Sequence, residues 1–111
     1  ECILSYTLCT KEVGIMKMFN FIYADYFDKR VTEEFMKAGY KNYTKVHGMT
    51  GQGEETGPKL GTSGSPGRNN IIYIGVPDQE ISNLLEIVHK LRKDYPNAGF
   101  RAFTYQIEDY I

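Results

Sequence analysis

The chain has 111 residues, a formal net charge of -1, and 24% charged and 41% hydrophobic residues. That length fits one domain, and the near-neutral charge excludes the basic footprint of a general nucleic-acid binder. No apolar run approaches the roughly 18 residues a membrane-spanning helix needs. A small core of this kind is marginal by itself, and self-association often makes up the deficit. Aromatic residues are 14% of the chain, as nine Tyr and six Phe without Trp.

Residues 1–15 lack the basic start and long apolar stretch of a secretory signal and read as an N-terminal extension of unknown role. Cys2 and Cys9 fall there, and a C-x6-C pair alone is not a zinc site. Two reduced thiols are the expectation, which fits a cytoplasmic protein. The domain proper is read as residues 16–111.

MFNFIYA (Met18–Ala24) is apolar on both parities and predicts a buried strand. Asp28 suits a helix N-cap, Val31, Phe35 and Ala38 follow at helical spacing, and Gly39 is a natural stop. NYTKVHGM (Asn42–Met49) alternates as a half-exposed strand does. Then comes a loop holding seven of the chain's 11 glycines, between Gly48 and Gly67. NIIYIGV (Asn70–Val76) is a strand rich in β-branched residues. Asp78 reads as the next N-cap, before an apolar stripe of Ile81, Leu84, Leu85, Val88 and Leu91. GFRAFTYQI (Gly99–Ile107) alternates as the last strand.

This order predicts an α+β, ferredoxin-like βαββαβ sandwich: a four-stranded antiparallel sheet with two helices on one face. Phe19, Phe21, Tyr23, Tyr43, Tyr73, Phe103 and Tyr105 cannot all face those helices. An apolar second face argues for self-association.

The loop is no phosphate-binding P-loop, because it runs into a strand and has no Gly-Lys-Ser/Thr. Its glycines free backbone N–H groups for an anion, and Lys59 and Arg68 add charge. An acylphosphatase-like enzyme would need its arginine in a cradle after the first strand, whereas Arg30 falls inside the helix. RNA recognition motifs need a basic-glycine-aromatic signature that NNIIYIGV lacks. Of the two histidines, His89 reads as solvated. His47, on a strand at the loop's base, is a weak candidate metal ligand. No catalytic constellation stands out, so no enzyme is expected.

From Met18 to Ile111 the chain resembles the PII (nitrogen regulatory) signal-transduction superfamily, as a divergent PII-like protein. AGYKNYTKVHGMTGQG (Ala38–Gly53), NIIYIGVPDQEISNLLEIVHKL (Asn70–Leu91) and FTYQIEDYI (Phe103–Ile111) carry the resemblance. It implies a cytoplasmic homotrimer, not itself a membrane protein, that binds a small effector at subunit clefts. ATP, ADP, AMP or another small anion would serve. Residues 50–69 would form the T-loop, the arm that docks on a regulated transporter, channel or enzyme. Effector contacts would fall to Gly48, Gly51, Gln52, Gly53 and Arg101: Gln52 as the sensing glutamine, Gly48 as the close-approach glycine, Arg101 at a phosphate-touching position. Glu54, Glu55, Lys59 and Arg68 would meet the partner.

The chain departs from the nitrogen regulators in several places. The loop is shorter and lacks their modified tyrosine. Thr50 and Gly51 stand where glycine and arginine are usual. Pro96-Asn97-Ala98-Gly99 replaces a glycine-aspartate-glycine turn, and the sequence as far as Ile111 shows nothing like the family's arginine-rich tail. The effector is therefore open to bicarbonate or a metal as well as a nucleotide. A metal-binding trimer similar to the divalent-cation tolerance proteins is the alternative, with an acylphosphatase-like enzyme behind it.

Overall fold

The structure is a computed structural model, and it describes residues 14–53, 57–59 and 67–111. Cys2, Cys9, Glu54 and Glu55 lie outside the described residues.

Strand β1 (Met16–Ala24) leads through a short 3-10 turn (Asp25–Phe27) into α1 (Asp28–Lys37). Strand β2 (Thr44–Met49) follows, then the short strands β3 (Gly51–Gly53) and β4 (Gly57–Lys59). The chain returns on β5 (Asn69–Pro77), passes a 3-10 turn (Asp78–Glu80), and forms α2 (Ile81–Asp94) and β6 (Arg101–Ile107). The main sheet has the order β2-β5-β1-β6 with every pairing antiparallel. This is the predicted ferredoxin-like sandwich.

Alternation in β1 sends Phe19, Phe21 and Tyr23 into the core, where all three are essentially inaccessible to solvent. Their register brings Phe21 opposite Ile72 and Phe19 opposite Ile74. Helix α1 closes on them with Val31 and Phe35, and α2 with Leu84, Val88 and Leu91. Phe19, Phe21, Phe35 and Phe100 meet ring to ring, with centroids between 5.4 and 5.8 Å apart. Polar bonds then tie the helices together: Arg30 binds Asp94 at 2.7 Å, and Lys90 binds the buried Glu34 at 3.2 Å. The Arg30 guanidinium is thus engaged between helices, not in an anion cradle.

Gly39 ends α1 as expected. It adopts φ +99°, its N–H reaches Met36 O and the Tyr40 N–H reaches Phe35 O, the paired bonds of a Schellman stop. Both predicted N-caps need correction. Phe27 occupies the cap of α1 and Glu80 that of α2, and neither makes a side-chain capping bond. The 3-10 turns start each helix instead, which releases Asp28 for another task.

The second sheet face carries Asn20 and Ile22 of β1, Ile71 and Tyr73 of β5, and Phe103 and Tyr105 of β6, by register. No helix among the described residues covers it: Phe103 is 54% exposed and Tyr105 49%. The aromatic residues therefore divide between two faces, as their number required.

A polar knot at the base of the loop

Strands β2 and β5 do not pair evenly. Val46 sits opposite Ile71, yet Met49 sits opposite Asn69. Two residues, His47 and Gly48, thus face one, Asn70. This is a β-bulge, and Gly48 adopts the left-handed φ +73° that such a bulge assigns to glycine. A bulge strands a backbone N–H that the ladder would otherwise use. Here the Gly48 N–H donates to Asn70 Oδ1 at 3.2 Å.

Asn70 is completely buried, and its amide group is fully used. Nδ2 donates to Asp25 Oδ1 at 2.9 Å and to Asp28 Oδ1 at 3.1 Å. Asp28 also accepts the Tyr23 hydroxyl at 2.6 Å and pairs with Lys45 Nζ at 2.9 Å. Lys45 reaches Thr32 Oγ1 at 2.6 Å. Burial alone would push the Asp28 carboxyl up. The bonds from Tyr23, Lys45 and Asn70 and the Lys45 charge outweigh it and hold that carboxyl below its usual range. Burial and the adjacent Asp28 carboxylate push the Tyr23 phenol far above its ordinary value.

The far end of the loop is held by the same turn. Asp25 N–H donates to Arg68 O at 2.8 Å. The Arg68 side chain turns back over the base, where Nη1 lies 3.4 Å from Gly48 O. Ala24, Asp25, Tyr26, Gly67 and Arg68 line a cleft of ≈ 330 Å³, beside which Tyr26 is 88% exposed.

The glycines named from sequence gather at this base. Gly51 lies so close to Asn69 that a Cβ there would stand 3.1 Å from its Nδ2. Gln52 pairs with Pro58 and Gly53 with Gly57 in the small β3–β4 ladder, where Lys59 pairs with Gly51. Arg101 is not with them. It opens β6, opposite Ile22, on the sheet edge farthest from β2, and its Nη1 donates to Phe100 O at 2.9 Å. His47 Nδ1 stands 3.8 Å from Asp25 Oδ1. No cluster of three or more His, Cys, Asp or Glu suited to a metal ion occurs among the described residues.

Sequence reasoning missed Asn70, Asp25, Asp28, Tyr23 and Lys45. A polar side chain beginning an otherwise apolar strand, twenty-two residues after a glycine, was the available signal. A larger groove of ≈ 650 Å³ runs between the helices. Several of its polar side chains are paired, Tyr40 with Glu80 at 2.6 Å and Lys90 with Glu34.

This fold is that of the PII-like proteins. CPII, a nitrogen regulatory PII-like protein from Thiomonas intermedia K12, solved with ADP, AMP and bicarbonate, superposes with a TM-score of 0.68 at 22% identity, covering 84% of this chain and 86% of its own. A Thermus thermophilus protein provisionally described as PII-like signalling gives 0.55 at 23% identity, covering 84% and 86%. A functionally unknown protein from Pediococcus pentosaceus ATCC 25745 gives 0.62 at 15% identity, covering 87% and 96%. No protein-family model matches the sequence, and no curated protein is similar to it. No helix among the described residues is long and apolar enough to cross a membrane.

Proposed function

We propose that this chain is a non-enzymatic, cytoplasmic PII-like regulator. It assembles as a homotrimer, binds a small anionic effector at clefts between subunits, and presents its glycine-rich loop to a partner protein. The observation that carries this reading is the pinned loop base, where Gly48 and Gly51 bring bare backbone to the surface beside Gln52. The likeness to CPII supports an adenine nucleotide or bicarbonate as effector, since that protein was solved with both.

The separation of Gln52 from Arg101 supports the intersubunit cleft. The arm that carries Gln52 leaves from β2, one edge of the main sheet, and Arg101 opens β6, the other edge. A cleft in which one subunit supplies Gln52 and the next supplies Arg101 fits that separation. The exposed aromatic face of β6 supports self-association, since an apolar patch of this kind is otherwise unfavourable in water. Glu54, Glu55, Lys59 and Arg68 would serve the partner, with Arg68 at the arm's base rather than along it. A metal-linked trimer rests on His47 and Asp25 alone and is the weaker reading.

A thermal-melt screen with AMP, ADP, ATP, bicarbonate and divalent cations tests the proposal. At least one nucleotide or bicarbonate is expected to raise the melting temperature, because a ligand that binds only the folded state stabilises it by mass action. Response to divalent cations alone would favour the metal reading.

A further inference from the structure

We propose that Asn70 is a positioning residue that fixes the β2 bulge and thereby sets which way the loop leaves the sheet. This rests on the loop-arm reading above and assigns its aim to a particular side chain. The side chains of a strand alternate between faces, so gaining or losing one residue in the pairing reverses every residue beyond it. The shift from Val46 opposite Ile71 to Met49 opposite Asn69 is such a change. It determines the face of Met49 relative to the sheet that carries Val46, and with it the direction in which the chain leaves β2 for β3.

Strand β2 has two ways to pair with β5, bulged or regular, and Asn70 selects the first. Its Oδ1 accepts the Gly48 N–H that the bulge orphans. Its Nδ2 anchors that acceptor to Asp25 and Asp28, and Asp25 also holds the returning end of the loop through Arg68 O. One buried carboxamide therefore joins the outgoing strand, the returning strand and the start of α1. The other contact at Gly48 is of a different kind. Arg68 approaches the Gly48 carbonyl at 3.4 Å from an exposed position, so it can leave without stranding a buried group. Gly48 is a pivot with a permanent pin on its N–H and an exchangeable one on its C=O.

Two substitutions attack the bulge from independent sides. Asn70→Asp keeps the shape but removes both donors and sets a third carboxylate against Asp25 and Asp28. Gly48→Ala leaves those carboxylates alone. It penalises the positive φ, and its added Cβ meets only the Arg68 side chain, at 3.5 Å. Hydrogen–deuterium exchange is read on the full chain without ligand, so the result is independent of whether any effector binds. Both variants are expected to speed exchange of the Gly48 amide and of the β3–β4 amides tenfold or more, while β1 and central β5 amides keep their order of protection. Exchange at Gly48 within twofold of the parent protein in the variants that fold would overturn the proposal. So would acceleration spread evenly over the whole sheet, which marks general destabilisation.

Discussion

Asp28 illustrates how one residue is reassigned by its surroundings. Its position before an amphipathic run suggested a cap, yet its carboxylate turns inward to Tyr23, Lys45 and Asn70. Glu34 is similarly enclosed. Burial would raise its carboxyl, but bonds from Lys90 and Arg30 and the charge of Lys37 hold it low. Both carboxyls therefore have folded values below their unfolded ones, near 4 for model peptides. Their stabilisation is present above about pH 4 and is lost as pH falls through the lowered folded values. Urea midpoints measured from pH 6 downward should fall in that acid window, and Asp28→Asn should flatten the fall. Tyr23→Phe strips Asp28 of a hydroxyl donor and should cost about 2 kcal/mol, in the range for a hydrogen bond to a charged group, by urea unfolding at pH 7. The knot itself was hidden in the sequence because its members are scattered. Tyr23, Asp28, Lys45 and Asn70 come together only when β1, α1, β2 and β5 are packed.

At the scale of elements, the pattern of apolar residues was enough to read the fold. Phe19, Phe21 and Tyr23 alternate in β1, and Leu84, Val88 and Leu91 recur at helical spacing in α2, so each element's buried face is written locally. Phe21→Ala should destabilise the domain by about 3–5 kcal/mol, the usual cost of emptying a buried aromatic site. The boundaries were less legible. Helix starts were misread because 3-10 turns stand where side-chain caps were expected. The bulge in β2 was invisible because a strand's alternation says nothing about its partner's register; Gly48 alone hinted at it. The loop beyond the bulge is expected to carry little of the domain's stability. Replacing residues 52–67 with a short turn should leave the urea midpoint close to the parent value, since loop-closure entropy changes slowly with length.

At the scale of the whole molecule, two features of one chain look unfinished. The sheet face of Phe103 and Tyr105 lies uncovered, and Asn20 Oδ1, between Tyr73 and Phe103 in register, is buried with no hydrogen-bond partner among the described residues. Arg101 starts the edge strand opposite β2, from which the arm of Gln52 departs. The proposed trimer would cover the exposed face and account for the separation together. Phe103→Glu combined with Tyr105→Glu should therefore convert a threefold mass into a monomer's, by light scattering on a sizing column. The sequence indicated surplus aromatics but not their arrangement, because the division between faces depends on the register of β1 with β6.

In the proposed cleft, Gln52 of one subunit and Arg101 of the next share a ligand. Subunit complementation tests it most directly, with calorimetric titration of ADP as the readout. Gln52→Ala and Arg101→Ala trimers should each bind ADP at least tenfold more weakly than the parent. Trimers assembled from both variants together should regain a fraction of full-affinity sites, because some clefts then pair an intact Gln52 with an intact Arg101. Mixed trimers that remain as weak as the single variants, or a parent protein that releases no heat with ADP, would contradict it.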